Sequence, residues 1–276
     1  MNIGIIGLGL MGGSLGLALK KFSHKYHIIG YDHNKLHQKD ALQLQLINKL
    51  ASNFEEIKAC DVIILTIPVD AIIKTTQTLT NVKEDCTIID FGSSKEKIDN
   101  AIPETIRQNF VTAHPMTGTE KFGPSAAVEE LYKNKVMVIC NQEKSGKHQT
   151  QIALEIFKDI QAKVSFMDAK EHDKHAAFIS HMPHAVSYAI ANSVMKQEDP
   201  QSIIALAGGG FKSMSRIAKS SPSMWEDIFR QNKSNVLESI QTFNKEMQEC
   251  QRLIEEDKWE ELHQWMKNAN RLHDIL

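Results

Sequence analysis

Cysteine is scarce and dispersed in this chain. Cys60, Cys86, Cys140 and Cys250 form no CxxC pair, which argues against a disulfide framework or a thiolate zinc site and leaves four buried thiols of a reducing compartment. No apolar run approaches the roughly 18 residues that a membrane helix needs. The apolar N-terminus carries no basic leader or cleavage site of a signal peptide, so a cytoplasmic location is expected. An excess of one charge is also missing: 32 Lys and Arg stand against 34 Asp and Glu. That balance leaves no electrostatic footprint for nucleic acid or a membrane surface. With repeats and low-complexity segments absent as well, the expected partners are a small molecule and another protein chain.

What is present is enough apolar material, 42% of 276 residues, for two domains with a cleft between them. Short apolar runs at Asn2 to Gly7, His27 to Tyr31, Asp61 to Ile67, Thr87 to Asp90, Phe110 to Ala113, Val136 to Cys140 and Lys163 to Met167 read as strands. Helical periodicity fills the intervals at Met11 to Phe22, Lys35 to Leu46, Val69 to Leu79, Lys95 to Arg107 and Lys147 to Ile160. This alternation predicts βαβ units and a Rossmann-type parallel sheet over residues 1–167.

From Asp168 the strand-like runs stop, and an all-helical second domain over 168–276 is expected. Within it Val236, Ile240, Phe243, Met247, Cys250 and Ile254 step by alternating fours and threes, a heptad-like seam that needs a partner helix. The partner is either in the same subunit or in a second copy. Ser223 and Glu226 fit a capping box, which starts a helix near Met224.

Gly7-Leu8-Gly9-Leu10-Met11-Gly12 fits GxGxxG between a strand and a helix, the setting that makes this short motif informative. Gly7 permits a tight turn, Gly9 lets the backbone approach a pyrophosphate, and Gly12 lets the helix pack on the strand. Leu10 and Met11 open that helix, whose free N–H groups suit phosphate oxygens. Asp32 follows Gly12 by twenty residues, placed to accept hydrogen bonds from the ribose hydroxyls and to repel a 2′-phosphate. NAD is thus expected over NADP, and FAD fits less well. Ile67-Pro68 and Ser93 end later strands and should border the same cleft; Ser93 alternatively caps the helix starting near Lys95.

His114 follows another strand end, where an imidazole can take the proton of an alcohol while hydride leaves its carbon. A fall in rate at acid pH within about a unit of 6.5 is the matching expectation. In the second domain, Ser180-His181-Met182-Pro183-His184 looks like an interruption of a helix. Gly208, Gly209 and Gly210 are costly to order unless a ligand or another chain approaches closely. Arg216 offers a rigid fork for a carboxylate. His172, His175, His181 and His184 fall short of a metal set, since Pro183 distorts the helix and no carboxylate or cysteine completes it; no metal is expected.

Over essentially its whole length the chain resembles the prephenate and arogenate dehydrogenase family, through GLGLMGGS, DFGSSKE, HPMTGTEKFGP, SHMPHAV, GGGFKSMSRIAKSSPSMW and the helical tail. The resemblance implies NAD-dependent oxidation of prephenate with release of carbon dioxide, giving 4-hydroxyphenylpyruvate on the route to tyrosine. It implies that His114 is the base at the ring hydroxyl, supported by Ser93. By the same resemblance Arg216 binds the ring carboxylate, His181 and His184 lie in the substrate pocket with His184 near the pyruvyl side chain, and Thr119 and Glu120 form its rim. A homodimer with interlocking helical domains also follows from it. One departure stands out: Ser213 occupies a position where family members commonly carry aspartate, so an ionic gate built on that residue is not assumed.

Three alternatives stay open: arogenate as substrate, another two-domain dehydrogenase of the β-hydroxyacid or imine-reductase kind, and a non-catalytic NAD sensor. The second group generally relies on a lysine in the helical domain, whereas the distinctive residues here are His114 and Arg216. The chain runs to the end of the helical tail, so no appended regulatory domain or fused mutase is expected, and any tyrosine inhibition should compete with prephenate.

Overall fold

The computed structural model describes residues 1–275; Leu276, the last residue of the expected helical domain, lies outside them. The chain begins β1 (Asn2–Ile6), α1 (Leu10–Lys20), β2 (His27–Tyr31), α2 (Lys35–Gln43), β3 (Lys49–Leu50), α3 (Phe54–Lys58), β4 (Val62–Leu65) and α4 (Val69–Thr76). It continues through β5 (Thr87–Asp90), α5 (Glu96–Ala101), β6 (Phe110–Pro115), β7 (Val136–Cys140), α6 (Lys147–Asp159) and β8 (Lys163–Met167). The eight strands form one sheet in the order β3-β2-β1-β4-β5-β6-β7-β8. β4 and β5 are buried at every residue, as continuous apolar runs in the middle of a covered parallel sheet should be. Alternation then divides their side chains between two layers: Val62, Ile64 and Ile89 join one cluster with Ile3, Leu15 and Phe157. Ile63, Leu65 and Ile88 join the other with Ile72 and Ile98. Strand order reverses between β1 and β4, which opens a crevice at their carboxyl ends.

All seven expected strands and the Rossmann plan are present, with differences at the edges. β7 runs antiparallel to β6, because no crossover helix separates them. β3 and α3 are short elements that periodicity cannot register; α3 depends on Asn53, whose side chain accepts from Glu56 N at 3.0 Å. The helix expected over Lys95 to Arg107 is α5 followed by a separate 3₁₀ turn at Glu104–Ile106. Pro103 forces this, since the residue before proline is driven out of the helical region and Ile102 is extended (φ −68°, ψ 122°).

After β8 every element is helical: α7 (Ala169–Ala176), a π-helical turn at Ala177–His181, α8 (Met182–Gln197), α9 (Pro200–Leu206), α10 (Gly209–Ser215), α11 (Pro222–Gln231), α12 (Lys233–Glu255) and α13 (Trp259–Asn270). The SHMPH segment does not interrupt its helix, contrary to expectation. The π turn widens the ladder just ahead of Pro183, which sits in the first turn of α8, where a missing N–H costs nothing. The expected capping box at Ser223 and Glu226 is not used either. Ser221 precedes the helix and Pro222 opens it, its fixed φ already helical. Along α12, Val236 is buried, but Met247 is 50% and Ile254 48% exposed, so the seam is only partly covered within one chain.

Candidate active site

The glycine loop turns from β1 into α1 with Gly7 at φ +97°, and a Cβ on Gly12 would meet Gly7 O at 1.9 Å. Both positions therefore require glycine. No side chain caps α1, no acidic residue occupies its first turn, and the space beside Gly9 is open for 4 Å. Leu10 and Met11, at the start of this helix, thus offer N–H groups and a helix dipole to an anion approaching Gly9. Ile67 packs its Cγ2 within 2.7 Å of where a Cβ on Gly7 would stand, and Pro68 opens α4 beside it. Asp32 directly follows β2 and is buried; its carboxylate accepts Leu8 N (2.8 Å) and Asn34 N (2.8 Å). Each oxygen keeps a lone pair, so the loop and the carboxylate fit a dinucleotide with its ribose hydroxyls free.

His114 is the penultimate residue of β6, half-buried at the carboxyl end of the sheet. The residue before it is held at both backbone groups: Asp90 Oδ1 accepts Ala113 N (3.1 Å) and Lys95 Nζ donates to Ala113 O (2.6 Å). Asp90 and Lys95 are themselves a fully buried ion pair. Burial holds the His114 pKa well below 6.5, and the charge of nearby Lys95 pushes the same way. This corrects the expected position of its titration: an acid limb governed by His114 belongs below the range of a free imidazole.

Ser93 is half-buried after β5, but it does not cap α5. The carboxylate of Asp173 on α7 takes that place, accepting Lys95 N (2.7 Å) and Glu96 N (3.0 Å). Neighbouring Ser94 Oγ is buried without a partner among the described residues.

Arg216 follows α10 and pairs with Glu120 of the loop after β6 at 3.2 Å. Thr119, next to Glu120, is exposed and accepts Lys121 N (3.2 Å). His184, in the first turn of α8, donates from Nδ1 to Ser180 O (2.9 Å), so its Nε2 is an acceptor. Burial lowers the His184 pKa first and the Arg216 charge lowers it further. His181 is buried, with Nδ1 3.2 Å from Asn232 Nδ2, and burial pulls its pKa down to about 4.

Sequence reasoning missed two contributors. Trp225 of α11 stacks on His184 with ring centroids 3.5 Å apart, and its buried indole N–H has no partner among the described residues. His172, which the sequence offers only as a metal ligand, has its Nε2 2.8 Å from His114 Nδ1. The four histidines considered together do not converge: His175 is exposed and faces Glu171 (3.5 Å), while His172 faces His114. Gly208, Gly209 and Gly210 have no other atom within 4 Å of a built Cβ, so no contact within the chain calls for them.

Residues 15–166 match the profile of the prephenate dehydrogenase nucleotide-binding domain, and residues 168–268 that of the prephenate dehydrogenase dimerization domain. Prephenate dehydrogenase of Bacillus subtilis is 31% identical over 280 residues, covering 99% of this chain and 75% of that protein. The crystal structure of prephenate dehydrogenase from A. aeolicus in complex with hydroxyphenyl propionate and NAD⁺ superposes with a TM-score of 0.92 at 31% identity, covering 100% of this chain and 98% of the other. Synechocystis arogenate dehydrogenase superposes with a TM-score of 0.81 at 25% identity, covering 100% and 99%. A glycine loop on an N-terminal Rossmann sheet, a helical second half and a match to both halves of one family agree: the chain belongs to the prephenate dehydrogenase family of oxidoreductases.

Proposed function

We propose that this protein oxidatively decarboxylates prephenate to 4-hydroxyphenylpyruvate with NAD. The observation that carries the reading is that Arg216, after α10, pairs with Glu120 in the loop that follows His114 at the end of β6, on the sheet whose first strand leads into the glycine loop. Bound NAD would supply the hydride acceptor. His114 takes the proton of the ring hydroxyl at Nε2 as the C–H pair leaves as hydride. The bond to the ring carboxylate then breaks, its electron pair restores aromaticity, and the proton returns to the phenolate oxygen. Ser93 is assigned to the hydroxyl and the nicotinamide. Arg216 holds the ring carboxylate, loosely enough to release it as carbon dioxide. His181, His184, Thr119 and Glu120 line the substrate side; Gly7, Gly9, Leu10, Met11, Gly12, Asp32, Ile67 and Pro68 line the cofactor side. The protein's contribution is mostly orientation and charge placement.

The working unit is proposed to be a cytoplasmic homodimer, with a cofactor domain over 1–167 and a substrate and dimer domain over 168–276. The match of 168–268 to a dimerization domain supports this, as does the half-exposed seam of α12. The test is a panel of prephenate and arogenate, each with NAD and NADP, followed by absorbance of the reduced cofactor. Prephenate with NAD should be the best pair. Arogenate at equal or better efficiency, or a preference for NADP, would overturn that half of the assignment.

A further inference from the structure

The His114 ring is tied through its Nδ1 edge. Its Nδ1 lies 2.8 Å from His172 Nε2, with ring centroids 4.9 Å apart and planes at 73°. His172 is 2% exposed, and its Nδ1 lies 2.9 Å from Asp173 Oδ1. Asp173 is equally buried and accepts Lys95 N and Glu96 N at the start of α5. Its backbone carbonyl accepts Asn232 Nδ2 at 2.6 Å. One continuous chain thus runs from the N-terminus of α5 through Asp173 and His172 to His114, pinned by Asn232 between α11 and α12.

Donor and acceptor accounting along this chain gives one direction. An ionised carboxylate only accepts, so His172 Nδ1 carries the hydrogen facing Asp173. A neutral imidazole has one N–H, so His172 Nε2 is an acceptor and His114 Nδ1 must donate to it. The lone pair of His114 is left on Nε2, the nitrogen turned away from His172. The opposite tautomer of His172 would reverse this, leaving His114 with its hydrogen on Nε2 and no free lone pair there for a proton.

We propose that His172 and Asp173 are positioning residues that hold His114 as its Nδ1–H tautomer and aim its Nε2 lone pair at the substrate hydroxyl. This rests on the reading of His114 as the base. During turnover His114 gains the hydroxyl proton at Nε2 and becomes an imidazolium. Its Nδ1–H bond to His172 then becomes charge-assisted, and Asp173 offsets the new charge through His172. That compensation matters because the other groups facing His114 oppose its protonation: Lys95 from the start of α5, with its counter-ion Asp90 on β5, and His181 from the π turn.

The first test is histidine ¹⁵N NMR of the intact protein, with signals assigned through His114→Asn and His172→Gln. Both rings should appear as Nδ1–H tautomers at pH 7.5; His114 found as Nε2–H overturns the proposal whatever the enzyme's substrate. The second test is kinetic. His172→Gln can still accept from His114 and should keep kcat within about tenfold, whereas His172→Leu cannot and should lose about 10²-fold or more. Asp173→Asn can present its NH₂ to His172 and reverse the chain, as the corresponding change does in Ser-His-Asp triads. It should cut kcat by about 10²-fold or more with KM for NAD within twofold, and move the acid limb to lower pH. Equal losses in the Gln and Leu variants, or an unmoved limb in a folded Asp173→Asn, would reduce the pair to a structural role. If Asp173→Asn does not fold, the His172 pair and the NMR signals decide. A wild type inert toward prephenate would sink the functional reading while the tautomers still test the relay.

Discussion

Arg216 Nη1 lies 3.2 Å from Glu120 Oε2, joining the end of α10 to the loop after β6. The two side chains are 58% and 28% accessible, so solvent screens the pair and it is weak. A substrate carboxylate can displace Glu120 at little cost.

The expected kinetics follow. Glu120→Gln frees Arg216 and should lower KM for prephenate by no more than about fivefold, with kcat little changed. Arg216→Ala removes a charged partner worth roughly 1.5 to 3 kcal/mol and should raise KM about 10- to 150-fold, with KM for NAD nearly unchanged. Steady-state measurements in both substrates check this. If Glu120→Gln raises KM as far as Arg216→Ala does, Glu120 is a substrate contact rather than a competitor for Arg216.

Assembly gives a second expectation. α12 leaves Met247 and Ile254 about half exposed, and Ile179, Ile204, Leu206 and Trp259 are also exposed apolar residues of the helical half. Apolar surface on that scale belongs at an interface. Sedimentation at micromolar concentration should find a dimer, and Met247→Glu with Ile254→Glu should shift it toward monomer. A monomeric wild type would remove the dimer from the proposal.

The parts of this fold that were legible in the sequence are those governed by local chemistry. β4 and β5 announce themselves as apolar runs, and the Gly7 to Gly12 loop as a turn that only glycine permits. The short β3 and α3, the π turn and the antiparallel β7 have no periodic signature; each is set by a neighbour or a proline. The site divides in the same way. His114, Ser93 and Arg216 carry recognisable motifs, and the structure pairs Arg216 with Glu120, in the loop after the strand that carries His114. Asp173 could not be found, because its role is to cap a helix 77 residues away in the chain. His172 sits in an unremarkable helical stretch, and only the crossing of α7 with β6 shows which histidine it meets. The stacking of Trp225 on His184 likewise depends on how α11 packs against α8.

Stability should fall at mildly acid pH. His181 has a folded pKa of about 4 against 6.5 for the ordinary side chain, chiefly because it is buried. Its contribution is complete above pH 6.5 and is lost as pH falls toward 4, since the unfolded chain takes up a proton that the folded chain refuses. At pH 5 that amounts to roughly 2 kcal/mol. Urea unfolding at pH 7.5 and 5 should show a loss of this order, and His181→Gln should reduce it. An equally steep decline in that variant would assign the effect to other groups.

The sharpest expectation concerns His114→Asn. Asparagine has a similar volume and can hydrogen-bond a ring hydroxyl, but it cannot take up a proton at physiological pH. Binding of prephenate and NAD should therefore survive while kcat falls about 10²- to 10⁴-fold, the usual cost of losing a positioned base. A merely structural histidine would instead show lost stability or weakened cofactor binding. The pH profile separates the two roles further. Only neutral His114 can act as base, so kcat of the wild type falls as the ring protonates. Burial, helped by the charge of Lys95, places that limb below 6.5, leaving kcat level through neutral pH. The Asn variant should lack the limb altogether. A variant that keeps near-normal kcat, or keeps the limb, would remove His114 as the base. His184 would then be the next candidate, since its Nδ1 is engaged by Ser180 O and its Nε2 lone pair is free to accept.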